Sequence, residues 1–201
     1  MRALPQPGES VPPGSSGTRP APVSVRGGHG ARNEGITMTV SSTPMNLTRA
    51  AHVGISVSNL DASIAFYQAL TGREPVVADE TMHSVPFGMS QGLPTAKLRY
   101  ATINLDNSLG IDLIEFQEPV GERTNGVANR PGSMHLCFRV DDFDAVYQRM
   151  KQVGYDFLGE GYTFLAGEVT PDAALGTKVA YFNDPDGTNL EIIQPKGGFA
   201  G

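Results

Sequence analysis

The chain has 201 residues, enough for one domain with its own core, and its 39% hydrophobic and 18% charged content is that of a globular protein. A formal net charge of −6 and a pI near 5.1 argue against nucleic acid or an anionic membrane surface as the main partner, since both need a basic patch. No apolar run is long enough to span a bilayer, and a single cysteine, Cys137, forbids an intrachain disulfide, which suits a reducing cytoplasm.

Residues 1–45 are rich in Pro, Gly and Ser and lack apolar periodicity, so a disordered tail is expected there. It carries no apolar core of a secretory signal and reads as an inert extension or an upstream start, with Met38 and Met45 as alternative starts. The folded domain is expected over 46–201.

From residue 52 the chain repeats itself. His52-Val53-Gly54-Ile55-Ser56-Val57 aligns without a gap on His135-Leu136-Cys137-Phe138-Arg139-Val140. Each segment alternates apolar residues at period two, which predicts a half-buried strand. Each then turns into a helix, Asp61–Leu70 in the first half and Asp142 or Asp144 to Val153 in the second, with Gly72 and Gly154 placed as C-terminal stops. Further strands are expected at Ser84–Gly88 and Lys97–Leu105, and at Tyr155–Leu158 and Lys178–Phe182. Residues 79–95 read as a loop at the mouth of a cleft, with His83 exposed on it. Asn183-Asp184-Pro185-Asp186-Gly187 is a hairpin turn. The halves close with Ile114-Glu115-Phe116-Gln117-Glu118-Pro119 over Leu190-Glu191-Ile192-Ile193-Gln194-Pro195. Each half therefore reads βαβββ, about 49–119 and 132–196, in an α+β fold.

Strand alternation puts His52 and His135 on the faces opposite their helices. The same reasoning is applied to Glu115 and Glu191, with Pro119 and Pro195 anchoring the alignment. Asp112 is a rival to Glu115, but its odd spacing assigns it the other face. Two neutral imidazoles, two carboxylates and one divalent cation sum to zero charge, which removes the cost of burying the acids together. His52, Glu115, His135 and Glu191 are thus candidate metal ligands. Zn, Ni, Co, Mn and Fe(II) all suit imidazole and carboxylate. Glu191, then Glu115, is the candidate base. Arg139 and Gln117 are candidate substrate contacts, and Cys137 reads as a small core or cleft residue that is not a nucleophile.

These segments, with Phe182-Asn183-Asp184-Pro185-Asp186-Gly187-Thr188-Asn189-Leu190-Glu191, resemble the vicinal oxygen chelate superfamily of glyoxalases, epimerases, bleomycin-resistance proteins and extradiol dioxygenases. The resemblance covers about residues 49–196. It implies a cup-shaped mixed sheet built from paired modules, a homodimer, and His52, Glu115, His135 and Glu191 at the four ligand positions. A Glu at the second position favours proton transfer on a small molecule with neighbouring oxygens, of lyase, isomerase or epimerase type, through a metal-bound enediolate. An Fe(II) ring-cleaving dioxygenase and a small-molecule binding or resistance protein stay open as alternatives.

Overall fold

The structure is a computed structural model that describes residues 46–78, 80–106, 108–124 and 127–198. The expected tail over 1–45 lies outside the described residues. The first half runs β1 (His52–Ser56), α1 (Leu60–Thr71), β2 (Val76–Val77), β3 (Met82–Ser84), α2 (Val85–Ser90), β4 (Ala96–Asn104) and β5 (Gly110–Glu118). The second runs β6 (His135–Arg139), α3 (Phe143–Gln152), β7 (Tyr162–Thr163), a 3-10 turn at Asp172–Ala174, β8 (Lys178–Asn183) and β9 (Asn189–Gln194).

Each half forms its own mixed sheet. The first has the order β1-β5-β4-β2, with β3 also on β4; the second has the order β6-β9-β8-β7. In both, the His-bearing strand pairs parallel with the closing strand, and the remaining pairs are antiparallel. The helix crossing between them is what a parallel pair requires.

Both long helices begin where a side chain can cap them. Asn59 accepts from the Ala62 amide at 2.9 Å and Asp142 from the Ala145 amide at 3.0 Å. Helix α1 stops at Gly72, whose φ of 67° fits a left-handed C-terminal residue. One apolar cluster joins the halves: Ile55, Leu60, Tyr67, Ile103, Ile111 and Leu113 from the first, and Phe143, Tyr147, Met150, Phe182, Leu190 and Ile192 from the second. Each such side chain contributes about 1.5–3 kcal/mol when fully buried.

Two expected strands are corrected. The strand expected at Ser84–Gly88 ends at Ser84, because Ser84 caps a helix whose first turn holds Pro86. The described part of the expected loop, residues 80–95, is therefore largely built of β3 and α2. A Cβ on Gly88 would come within 2.2 Å of the Thr95 backbone, so α2 sits directly on the chain entering β4. At Tyr155–Leu158 the backbone makes only a single bridge, Phe157 to Phe182, while the Tyr155 ring packs edge-on and the Phe157 ring tilted against Phe182; the pairing strand comes later, at β7.

Candidate metal centre

Residues in register across neighbouring strands share a face, so pairing decides which side chains meet. In the first sheet His52 registers with Gly110, Gly54 with Asp112 and Ser56 with Ile114. On β4, Thr102 registers with Asp112. These residues lie on the face opposite the buried Ile55, Ile111 and Leu113. There His52 Nε2 stands 3.7 Å from Asp112 Oδ2, and Thr102 Oγ1 donates to Asp112 Oδ1 at 2.7 Å.

The second sheet repeats the plan. Glu191 registers with Cys137 on one side and Tyr181 on the other. His135 Nε2 stands 3.0 Å from Glu191 Oε2. The Tyr181 and Cys137 side chains thus share a face with the Glu191 carboxylate, one from each neighbouring strand. The Tyr181 ring meets the His135 ring edge-on, centroids 5.7 Å apart. Backbone bonds fix the equivalence. The Val57 amide donates to the Ile114 carbonyl at 2.9 Å, and the Val140 amide to the Ile193 carbonyl at 2.8 Å. Ile114 thus matches Ile193, and Asp112 matches Glu191.

This corrects the expected position of Glu115. Strand β5 has nine residues and β9 has six, and the excess lies between the matched carboxylate and the proline. Aligning Pro119 with Pro195 shifts the register by an odd number and turns the side chain to the wrong face. Glu115 shares the core face with Leu113. It accepts from Arg99 Nη1 at 3.4 Å, while Arg99 Nη2 donates to Asp61 in the first turn of α1 at 2.9 Å. His52 is therefore brought to Asp112, and Glu115 to the start of α1. The signal that finds Asp112 is a spacing. Thr102 precedes Asp112 by ten residues, as Tyr181 precedes Glu191, because the two hairpins share one register.

The two pairs differ in solvation. The side chains of His52 and Asp112 are 59% and 22% exposed; those of His135 and Glu191 are 48% and 6%. A carboxylate so far out of water needs polar neighbours, and Glu191 has His135 at 3.0 Å with Tyr181 and Cys137 in register beside it. Desolvation first, then the Glu191 charge, pushes the Cys137 thiol up to about 12. A thiol so raised is protonated at neutral pH, and Cys137 lies exposed on the strand and not in the core. The same causes push the Tyr181 phenol up to about 12.

The donor set fits a divalent cation in kind: one imidazole and one carboxylate in each sheet. Among the described residues, no three His, Cys, Asp or Glu side chains gather in a group that could hold a metal ion; each sheet brings together one imidazole and one carboxylate. Arg139 is exposed on β6, in register with Ile193 and on the His135 face. Gln117 falls where the β4–β5 register slips, since Lys97 faces Glu118 and Leu98 faces Phe116. It lines a groove of about 1000 Å³ with Ser56, Phe116, Arg123, Met134 and Asn189. Arg139 does not line that groove, so the two candidate substrate contacts are not brought together. His83 is exposed on β3, in register with Lys97.

Comparison with known proteins agrees with this architecture. The chain is 27% identical over 146 residues to a 2-epi-5-epi-valiolone epimerase of Actinomyces, covering 71% of this chain and 76% of that one. It is 23% identical to a lactoylglutathione lyase of Neisseria meningitidis, covering 75% and 93%. It is 21% identical to a glyoxylase I of Arabidopsis thaliana, covering 76% and 74%. A solved glyoxalase family protein from Bacillus cereus shares the fold with a TM-score of 0.56 at 19% identity, covering 79% of this chain and 99% of that one. Among the described residues no helix is long and apolar enough to cross a membrane. Residues 51–181 match the family model of the Glyoxalase/Bleomycin resistance protein/Dioxygenase superfamily, and the chain belongs to that superfamily.

Proposed function

We propose that the protein is a metal-dependent enzyme of lyase, isomerase or epimerase type. Its substrate is a small molecule with neighbouring carbonyl and hydroxyl oxygens, and its chemistry is proton transfer beside the carbonyl. The observation that carries this reading is the repeated pair, His52 with Asp112 and His135 with Glu191, at one register in both sheets. These four side chains would hold the cation. When bound, it supplies Lewis acidity to the substrate's adjacent oxygens.

The rest falls to the chain. The Glu191 carboxylate is the base: its side chain is 6% exposed, so bulk water competes little for the proton it takes from carbon and returns. Four protein donors, not three, also support proton transfer over ring cleavage. Relatives named as an epimerase and a lyase support the same class. Since no third donor joins either pair among the described residues, the reading includes a homodimer in which a second copy completes each set.

Metal analysis of protein purified without chelator, together with solvent-deuterium incorporation, tests it. Zn, Ni or Co at about one per chain, with deuterium entering an α-hydroxycarbonyl compound, is the expected result. Tightly bound iron with oxygen uptake on catechols would overturn it in favour of a dioxygenase. Metal-free protein that still binds small molecules would point to a binding role.

A further inference from the structure

Each carboxylate of the candidate centre is met from the neighbouring antiparallel strand by a hydroxyl. In the first sheet it is Thr102 on β4; in the second it is Tyr181 on β8. The residue types differ, yet position and chemical group agree in both copies of the repeat. The geometry at Asp112 shows what this does. Thr102 Oγ1 holds Oδ1 at 2.7 Å, and Oδ2 is the oxygen turned towards His52 Nε2, 3.7 Å away. In the second sheet Glu191 Oε2 faces His135 Nε2 at 3.0 Å, while Tyr181 stands in register beside Glu191 and its ring packs at right angles to the imidazole.

We propose that Thr102 and Tyr181 are paired positioning residues, whose hydroxyls orient the Asp112 and Glu191 carboxylates so that one oxygen of each is presented with its histidine to the cation. This rests on the reading of the four donors given above. A hydroxyl donating to an ionised carboxylate forms a strong, directional bond. It removes one of the carboxylate's alternative orientations before the metal arrives, and partners of this kind govern affinity and ligand orientation. A carboxylate free to rotate would present either oxygen and lose part of that preorganisation. The repeat makes the inference specific: Thr102 is small beside the more exposed Asp112, whereas Tyr181 spans both members of the less exposed pair.

The test uses cobalt(II) and zinc with the full-length protein. Dissociation constants come from competition with a chelator and from the visible absorption of the cobalt form. Thr102→Val and Tyr181→Phe remove the hydroxyls and keep the shapes; Thr102→Ser restores one. Each loss should weaken metal binding by about 10–100-fold and alter the cobalt spectrum, while Thr102→Ser stays within about threefold of wild type. The melting temperature of the metal-free variants should match wild type, which separates positioning from folding. If Thr102→Val fails to fold, Tyr181→Phe carries the test alone. Affinities within about twofold of wild type, with unchanged spectra, overturn this inference and leave the four-donor reading standing. A wild-type protein that binds neither metal overturns that reading, and this one with it.

Discussion

The two halves of the chain share one plan and execute it differently. The closing strand is nine residues in the first half and six in the second. The first pair holds an aspartate at 3.7 Å from its histidine; the second holds a glutamate at 3.0 Å. The turns ahead of the closing strands differ most. In the second half Asp184 accepts from the amides of Asp186 and Thr188 and from the Tyr67 hydroxyl of α1, and Asp186 accepts from the Ser58 amide and from Arg123. In the first half Asp106 meets only the exposed Arg73 guanidinium among the described contacts. Equivalence between the halves thus lies in hydrogen-bond register, while strand length and turn chemistry were free to diverge.

The comparison breaks most sharply at the two rival acids. Asp112→Asn should weaken metal binding by more than about 100-fold, the upper end of what outer hydrogen-bond partners cost. Glu115→Gln should leave it within about twofold, because that side chain neutralises Arg99 on the other face. Isothermal titration with zinc reads both, and the reverse order would restore Glu115 as the partner of His52.

The turns give the next effect. Asp184→Ala removes a buried acceptor of three hydrogen bonds and should cost about 3 kcal/mol in urea unfolding. Asp106→Ala, in the exposed pair, should stay within about 0.5 kcal/mol. Equal losses would mean that the halves are fastened alike.

The smallest effect is alkaline. Burial first, then Asp184, raises the Tyr67 phenol above the ordinary tyrosine value. A raised folded-state value means that the native state keeps the proton longer, so this stability is complete below about pH 10 and drains away as pH rises beyond it. Melting temperatures between about pH 9 and 11 should fall more steeply for wild type than for Tyr67→Phe; parallel curves would show that Tyr67 does not set this dependence.

Much of this was legible in the sequence. The alternation in His52–Val57 and His135–Val140 gave both parallel-edge strands, and the helices expected from Asp61 and from Asp142 or Asp144 start at Leu60 and Phe143. Alternation set both His135 and Glu191 on the faces away from the helix, and the short, regular β9 keeps Glu191 there, 3.0 Å from His135. The Asp112 pairing did not, because the proline used as a ruler sits beyond the extra length of β5 and its register slip at Gln117. Helix α2 was hidden for another reason: Val85–Ser90 is too short for a period to emerge, and only its Ser84 cap and Pro86 betray it. Thr102 and Tyr181 went unnamed because a hydroxyl on a strand acquires meaning only when the opposing residue is known.

The β8–β9 turn also bears on the order in which the chain can fold. The bonds from Ser58 to Asp186 and from Tyr67 to Asp184 span 128 and 117 residues. Contacts between such distant points form late, after the loop-closure entropy has been met. On a ribosome the first half therefore emerges with these two donors unsatisfied until almost the last hairpin is made. The closing hairpin is thus a checkpoint for assembly, and a nascent chain halted before it would expose the α1 face of its first sheet to aggregation.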